Sequence, residues 1–384
     1  MQRAHVTAQN PKPRAEIAYR TDSYRVRTVT QIIIAFAVVL FLLVQARFLL
    51  ISLATAIILF SLTSDAINSI ARIRLGPVRV PNWLASIVAL LMISMALLSL
   101  SAVILAQANT VLSTTLAYTD RAPQAIASMF KWLGPDAEKA VLNSVATVDV
   151  AGYLRAIAGQ AGSLMQGTVL VILFVGFLFA ERVWFGTKLQ SLFGDTAQAE
   201  KVSRIIGSII HRVNYYLLVK TFVSGVTGLM VYAVARAFEL DLAAALGILT
   251  FVLNYIPSIG SIVATVLVAL VAFVQLADGT LTLLIFLVVG AIQFLNGNII
   301  DPMLMGRALR VSSFGIIISL AFWAAIWGIP GMFLAVPIMV ALMIVCSHVP
   351  GLRPVAVLLS REGLPETDSD LDIATPKGRR ASAR

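Results

Sequence analysis

The chain has 384 residues, 59% hydrophobic and 12% charged, against roughly 45–50% and about 25% in a soluble domain, which excludes an ordinary water-soluble fold. Its formal net charge of +10 would suit a nucleic-acid binder, but Lys and Arg gather beside apolar spans, as the positive-inside rule expects of cytoplasmic loops, so no nucleic-acid partner is expected. The single cysteine, Cys346, lies in an apolar run and excludes both a disulfide framework and a thiolate metal site.

Residues 1–27 hold Arg3, Lys12, Arg14, Arg20, Arg25 and Arg27 with little apolar content. They read as a cytoplasmic basic arm without the early apolar core of a cleaved signal. Residues 28–106 supply the first three transmembrane helices, at about 28–44, 48–64 and 83–106, because each apolar run approaches the roughly 20 residues that cross a hydrocarbon core. Arg72, Arg74 and Arg79 mark a cytoplasmic loop between the second and the third. Over 107–164 acids and bases balance, and Ile126, Met129, Phe130 and Leu133 recur at helical spacing, which predicts a small helical extracytoplasmic domain.

Residues 165–350 form the transmembrane core. A fourth span at 166–180 is followed by Arg182, Lys188, Lys201, Arg204 and Arg212. Val202, Ile206, Ile209 and Val213 form one apolar stripe, which predicts an amphipathic surface helix over 195–214. Asp195 and Gln198 suit a capping box at its start. The fifth span, 215–238, contains Lys220, and a charge inside a span is by default a functional hypothesis. The plainer reading is a stem that snorkels to the headgroups.

A helix-breaking stretch, "NYIPSIG", then divides 242–277 into two arms. Asn254, Tyr255 and Ser258 surround the break at Pro257 and Gly260. Freed backbone groups are tolerated in a bilayer only where protein or a water-filled cavity takes them up, so the break marks a candidate substrate or ion path. Its plainer reading is a turn between two full spans. A further span at 281–300 ends in Gln293, Asn296, Asn298 and Asp301, ahead of a basic loop with Arg307 and Arg310. The plainer reading of Asn296, Asn298 and Asp301 is a helix end reaching the headgroups; against it, Asp301 is the acid best placed for proton or cation coupling, with Lys220 or Arg307 as its counter-charge.

The same grammar returns at "WGIPGMFLAVP", where Gly328, Pro330 and Gly331 divide 312–348 and Pro337 follows. Arms of 14–17 residues are about 21–26 Å long, less than the roughly 30 Å core, so the two broken hairpins are either re-entrant or a pair of short crossings. Entering from opposite sides, their tips would meet near the midplane, the arrangement that points to a transporter's binding site. Residues 351–384 are polar and read as a disordered cytoplasmic tail.

Four stretches in order, "YYLLVK" (Tyr215 to Lys220), "NYIPSIG" (Asn254 to Gly260), "NIIDPMLMGRALRVS" (Asn298 to Ser312) and "WGIPGMFLAVP" (Trp327 to Pro337), resemble the autoinducer-2 exporter family. The resemblance covers roughly residues 28–350. It implies an all-α, polytopic inner-membrane protein with about eight membrane segments, assembled as a homo-oligomer, in a family whose proposed substrates range from the quorum-sensing signal to cations exchanged for protons. The family motif carries over to Pro257, Gly260, Pro302, Gly306, Gly328, Gly331 and Pro337. It departs at "RVSSFG", where the family more often has a proline near Ser313.

Enzyme chemistry finds no support in the residues. There is no G-x-x-x-x-G-K-[ST] loop and no H-E-x-x-H, and His5, His211 and His348 are scattered. The expected protein is a secondary transporter or exporter of a small polar molecule, without a cofactor, multi-pass in the bacterial inner membrane with both termini cytoplasmic. Its expected partners are membrane lipids and a small polar solute or ion. A cation/proton antiporter and a non-transporting membrane scaffold are the competing readings.

Overall fold

The computed structural model describes residues 14–70, 82–118, 127, 134–146, 150–305, 311–361 and 363. The start of the basic arm, the loop with Arg72, Arg74 and Arg79, the motif residues Gly306 and Arg307, and most of the tail lie outside the described residues. Among the described residues the regular elements are helical, and the one extended contact is an isolated bridge between Val311 and Ser360. Eight of these helices are long and apolar enough to cross a membrane. The protein is a polytopic α-helical membrane protein.

Two compact units divide the chain, Met1–Leu50 and Ile51–Arg384. In the first, α1 (Arg14–Gln45) begins inside the basic stretch and continues without a break through the first span. No proline or glycine lies between Arg14 and Gln45 to stop it. Ile32, Ile33, Phe36 and Phe41 stand exposed along it, which is the surface a lipid-facing helix presents.

In the second unit, α2 (Arg47–Ile70), α3 (Asn82–Tyr118) and α5 (Val150–Glu181) pack around Ala56, Ala89, Val171, Val175 and Phe179. Ser101 and Thr168 share a 2.8 Å hydrogen bond across α3 and α5. Both α3 and α5 run beyond the expected spans into the stretch 107–164, with α4 (Pro135–Ala146) between them. Most of the described residues of that stretch belong to extensions of membrane helices.

After α6 (Phe185–Phe193) comes α7 (Thr196–Ala237), with Asp195 accepting from the Ala197 N–H as its N-cap. The separate surface helix expected over 195–214 is instead the first half of this uninterrupted 42-residue helix. At 1.5 Å per residue it is about 63 Å long, twice the hydrocarbon core. Its apolar stripe does not lie against lipid alone: Val213, with Ile209 beside it, joins a cluster formed with Val336, Met339, Val340 and Met343. Tertiary burial therefore competes with the membrane surface for the same amphipathic face.

The two broken hairpins are α8 (Ala243–Leu253) with α9 (Ile259–Leu276), and α12 (Ser313–Trp327) with α13 (Ile329–His348). Between them stand α10 (Gly279–Leu295), a π-turn over Asn296–Ile300 and the short α11 (Asp301–Met305). Finally, α14 (Arg353–Leu359) returns against α13, where the Ser312 N–H donates to the Leu359 carbonyl at 2.9 Å. In each hairpin the first arm, of 11 and 15 residues, is about 17 and 23 Å long and too short to cross. The second arms, of 18 and 20 residues, approach the full thickness. Where the family more often has a proline near Ser313, α12 is started by the Ser312 hydroxyl, which accepts from the Gly315 N–H at 2.9 Å.

Candidate functional site

The π-turn decides the geometry of the site. Pro302 has no N–H to continue an α ladder, and its ring crowds the carbonyl four residues back, so the helix widens and the Asp301 N–H bonds to the Asn296 carbonyl, five residues earlier. In a regular α-helix those two residues would lie about 140° apart around the axis. A turn closed from i to i+5 sets them nearly one above the other. Gln293, three residues before Asn296, already shares that face, so Gln293, Asn296 and Asp301 form one polar edge.

Opposite it, α7 presents Lys220, Ser224 and Thr227, all buried and at spacings of four and three. Lys220 Nζ donates to Asp301 Oδ2 at 2.6 Å. Among the described residues Lys220 is the charged side chain that is fully buried, at 3% exposure, so it does not snorkel to solvent. One turn along, Asn254 at the end of α8 donates to Ser224 Oγ at 3.0 Å and accepts from Asn296 Nδ2 at 3.2 Å. These contacts order three helices into tiers, with the ion pair at one end and the amides next. Asp301 Oδ1 and the Tyr216 hydroxyl, near the ion pair, are buried without a hydrogen-bond partner.

The first tip closes over this file. Tyr255 shares a 2.7 Å hydrogen bond with Thr221 of α7, and its ring stacks on Phe333 of α13 at 5.7 Å. Ser258 turns the chain with φ of 63°, a left-handed conformation that costs a residue with a Cβ about 1–2 kcal/mol. Gly260 packs so tightly that a Cβ there would sit 1.8 Å from the Leu253 carbonyl oxygen. The second tip repeats the device. Gly328 takes φ of 65°, and a Cβ on Gly331 would sit 2.1 Å from the Trp323 carbonyl oxygen.

The first tip packs beside the second. Ile256 joins Leu320 and Ala335, with Met332 and Phe333, which follow Gly331 directly, against the same cluster, while Gly328 and Pro330 themselves are exposed.

The structure thus brings together Lys220, Asn254, Tyr255, Asn296 and Asp301, with Pro257, Ser258 and Gly260 shaping the turn. It leaves Gly328, Pro330 and Gly331 at a separate tip, and Asn298 exposed, its amide donating to the Phe294 carbonyl. Pro302 breaks the α ladder, and Pro337 is buried within α13. Ser224, Thr250, Tyr216 and the depth of Gln293 were not singled out from the sequence. A hydroxyl or lone amide in an apolar run carries no periodic signal until its neighbours are known. Among the described residues no group of three or more His, Cys, Asp or Glu side chains gathers to hold a metal ion.

A profile of the AI-2E family transporter matches residues 31–351. The chain belongs to the AI-2E transporter family. Over 204 residues it is 33% identical to the AI-2 transport protein TqsA of Escherichia coli (strain K12), an overlap of 52% of this chain and 57% of the relative. Over 227 residues it is 30% identical to a candidate transport protein of Borreliella burgdorferi, covering 58% of this chain and 62% of that one. A candidate transport protein of Haemophilus influenzae is 32% identical over 197 residues, 51% of this chain and 56% of the relative. The chain spans about three fifths of the length of these curated relatives. In this AI-2E transporter family member, the polar file, the π-turn and both broken hairpins lie within the matched segment.

Proposed function

We propose that this AI-2E family member is a secondary transporter that exports a small polar molecule, of the kind named for its Escherichia coli relative, by alternating access. The observation that carries the reading is the buried file from Lys220 and Asp301 through Ser224, Asn254 and Asn296. Polar side chains inside a membrane bundle are costly and mark solute and ion pathways. The file is roofed by a broken helix at Pro257 and Gly260, the element from which transporters build their sites. Gly328, Pro330 and Gly331 form the pivot of the opposed hairpin. The working assembly is a homo-oligomer in the bacterial inner membrane, with both termini cytoplasmic and residues 107–164 on the far side.

Lys220 and Asp301 are the coupling pair. Transport alternates between a state in which Asp301 holds Lys220 and one in which a proton or cation takes the carboxylate. Asp301 Oδ1, buried and without a partner, also favours a second reading, cation/proton antiport. Purified protein in liposomes separates the two when an autoinducer-2-type signal molecule and sodium/proton exchange are assayed in parallel. Asp301→Asn should abolish the pH dependence of whichever activity is present. Unchanged pH dependence would remove the coupling role, and no flux of either kind from folded protein would leave a membrane scaffold.

A further inference from the structure

Three side chains in the core formed by α7 to α10 keep polar atoms buried without any protein partner: Thr250 Oγ1, both amide atoms of Gln293, and Asn296 Oδ1. Their exposures are 0%, 4% and 2%. A buried polar group left unsatisfied is costly and uncommon in a native fold. Four such atoms in neighbouring turns therefore call for a ligand.

Their position in the fold brackets them. Val231, Leu246 and Val289, from α7, α8 and α10, belong to one apolar cluster. Ser224 of α7, Asn254 at the end of α8 and Asn296, which follows α10, are joined by hydrogen bonds. Two turns separate the two layers on every helix, and Thr227, Thr250 and Gln293 occupy the turn between. Thr227 is satisfied by the Val223 carbonyl at 2.8 Å, which leaves Thr250 and Gln293 as the open members. Asn296 joins from the adjoining layer.

Electrostatics and donor type then select the ligand. The buried charge in the file is already neutralised, because Lys220 holds Asp301 at 2.6 Å. A lone ion entering the next tier would stay without a counter-charge in a low-dielectric interior, which is strongly unfavourable. Whichever way the Gln293 amide is turned, one end donates and the other accepts. A cation would leave the amide N–H groups idle, and an anion would face the amide oxygens. A hydroxyl group donates and accepts at once, and two adjacent hydroxyls match both ends of an amide together with Thr250.

We infer that Thr250, Gln293 and Asn296 form a binding tier for a small uncharged solute carrying adjacent hydroxyl groups. This rests on the transport reading above and assigns its solute contacts. The tier is closed in this structure. Beside it Gly228 and Gly247 bring α7 and α8 into contact close enough that a Cβ on Gly228 would lie 2.7 Å from the Gly247 carbonyl oxygen. Entry therefore follows a movement of α8 with its tip.

The test uses the full chain, with radiolabelled erythritol, sodium ion and lactate as probes, in equilibrium binding in detergent and in counterflow from liposomes. Wild type should exchange erythritol in preference to the two ions. Thr250→Val and Gln293→Leu, each close in volume to the native side chain, should lower erythritol binding and counterflow by about tenfold or more, as expected when a hydroxyl loses its buried partner. Thermal stability should hold or rise in both, because the orphaned atoms are gone. A purely structural polar layer would lose stability instead. Preference for sodium or lactate, no binding of erythritol by wild type, or variants within about twofold of wild type would overturn the tier. If wild type still moves one of the ions while the tier fails, transport stands and the assignment falls. Flux of none of the three overturns both.

Discussion

The two broken hairpins share a plan and differ in where their polar groups go. Each has a first arm too short to cross and a glycine pressed against a carbonyl of that arm, Gly260 on Leu253 and Gly331 on Trp323. In the second hairpin the buried hydroxyl of Ser319 is satisfied within the hairpin, by the Ala335 carbonyl at 2.9 Å, and over half of the apolar window of α13 is buried, 56% against 33% for α9. In the first, Asn254 and Tyr255 bond outward, to α7 and to the π-turn. A hairpin that satisfies itself moves or stays as a unit. One whose hydrogen bonds run to its neighbours couples its position to theirs.

The largest expected effect tests what the hairpins share. Gly260→Ala and Gly331→Ala each drive a Cβ into a carbonyl oxygen, so both should cost about 3 kcal/mol or more, seen as lost yield and lowered melting temperature in detergent. Tolerance at one site and not the other would break the common plan.

The next effect sharpens what the first hairpin's surroundings carry. Asp301→Ala leaves Lys220 buried and unpaired, which should destabilise by about 3–5 kcal/mol. Lys220→Met with Asp301→Leu should restore much of that stability without restoring transport, and thermal unfolding of the single and double variants gives the coupling directly. Equal destabilisation by the double variant would mean that the pair is not isolated in the way the 2.6 Å contact implies.

The smallest effect belongs to the second hairpin. Ser319→Ala removes one internal hydrogen bond worth about 1 kcal/mol and should leave transport rates untouched, since its bond does not leave the hairpin. A changed rate with an unchanged melting temperature would show that the second hairpin is coupled after all.

Much of this was legible in the residues. Composition and apolar run length gave the membrane class and the spans, and Pro and Gly located both breaks. Lys220 and Asp301 stood out because charges are rare in such runs. The helix read over 195–214 starts where expected, capped by Asp195, but runs on unbroken into the fifth span, and its apolar stripe suits a membrane face and a protein face equally, Val213 with Ile209 packing against α13. What the first tip touches could not be read either, because arm length fixes how far α8 reaches and not that Tyr255 and Ile256 lie against Phe333, Leu320 and Ala335.

The sequence by itself determined the solvent, the helices and the places where helices must break, since these depend on local composition and on backbone chemistry. Only the tertiary structure decided which polar groups share a face. That depended on a π-turn at Asn296–Ile300, which rotates Asp301 onto the edge held by Gln293 and Asn296, and on the delivery of Asn254 by a helix of 11 residues. One added residue in a turn changes which groups are neighbours by more than a quarter of a rotation, and no periodicity read along the chain records that until the partner helices are in place.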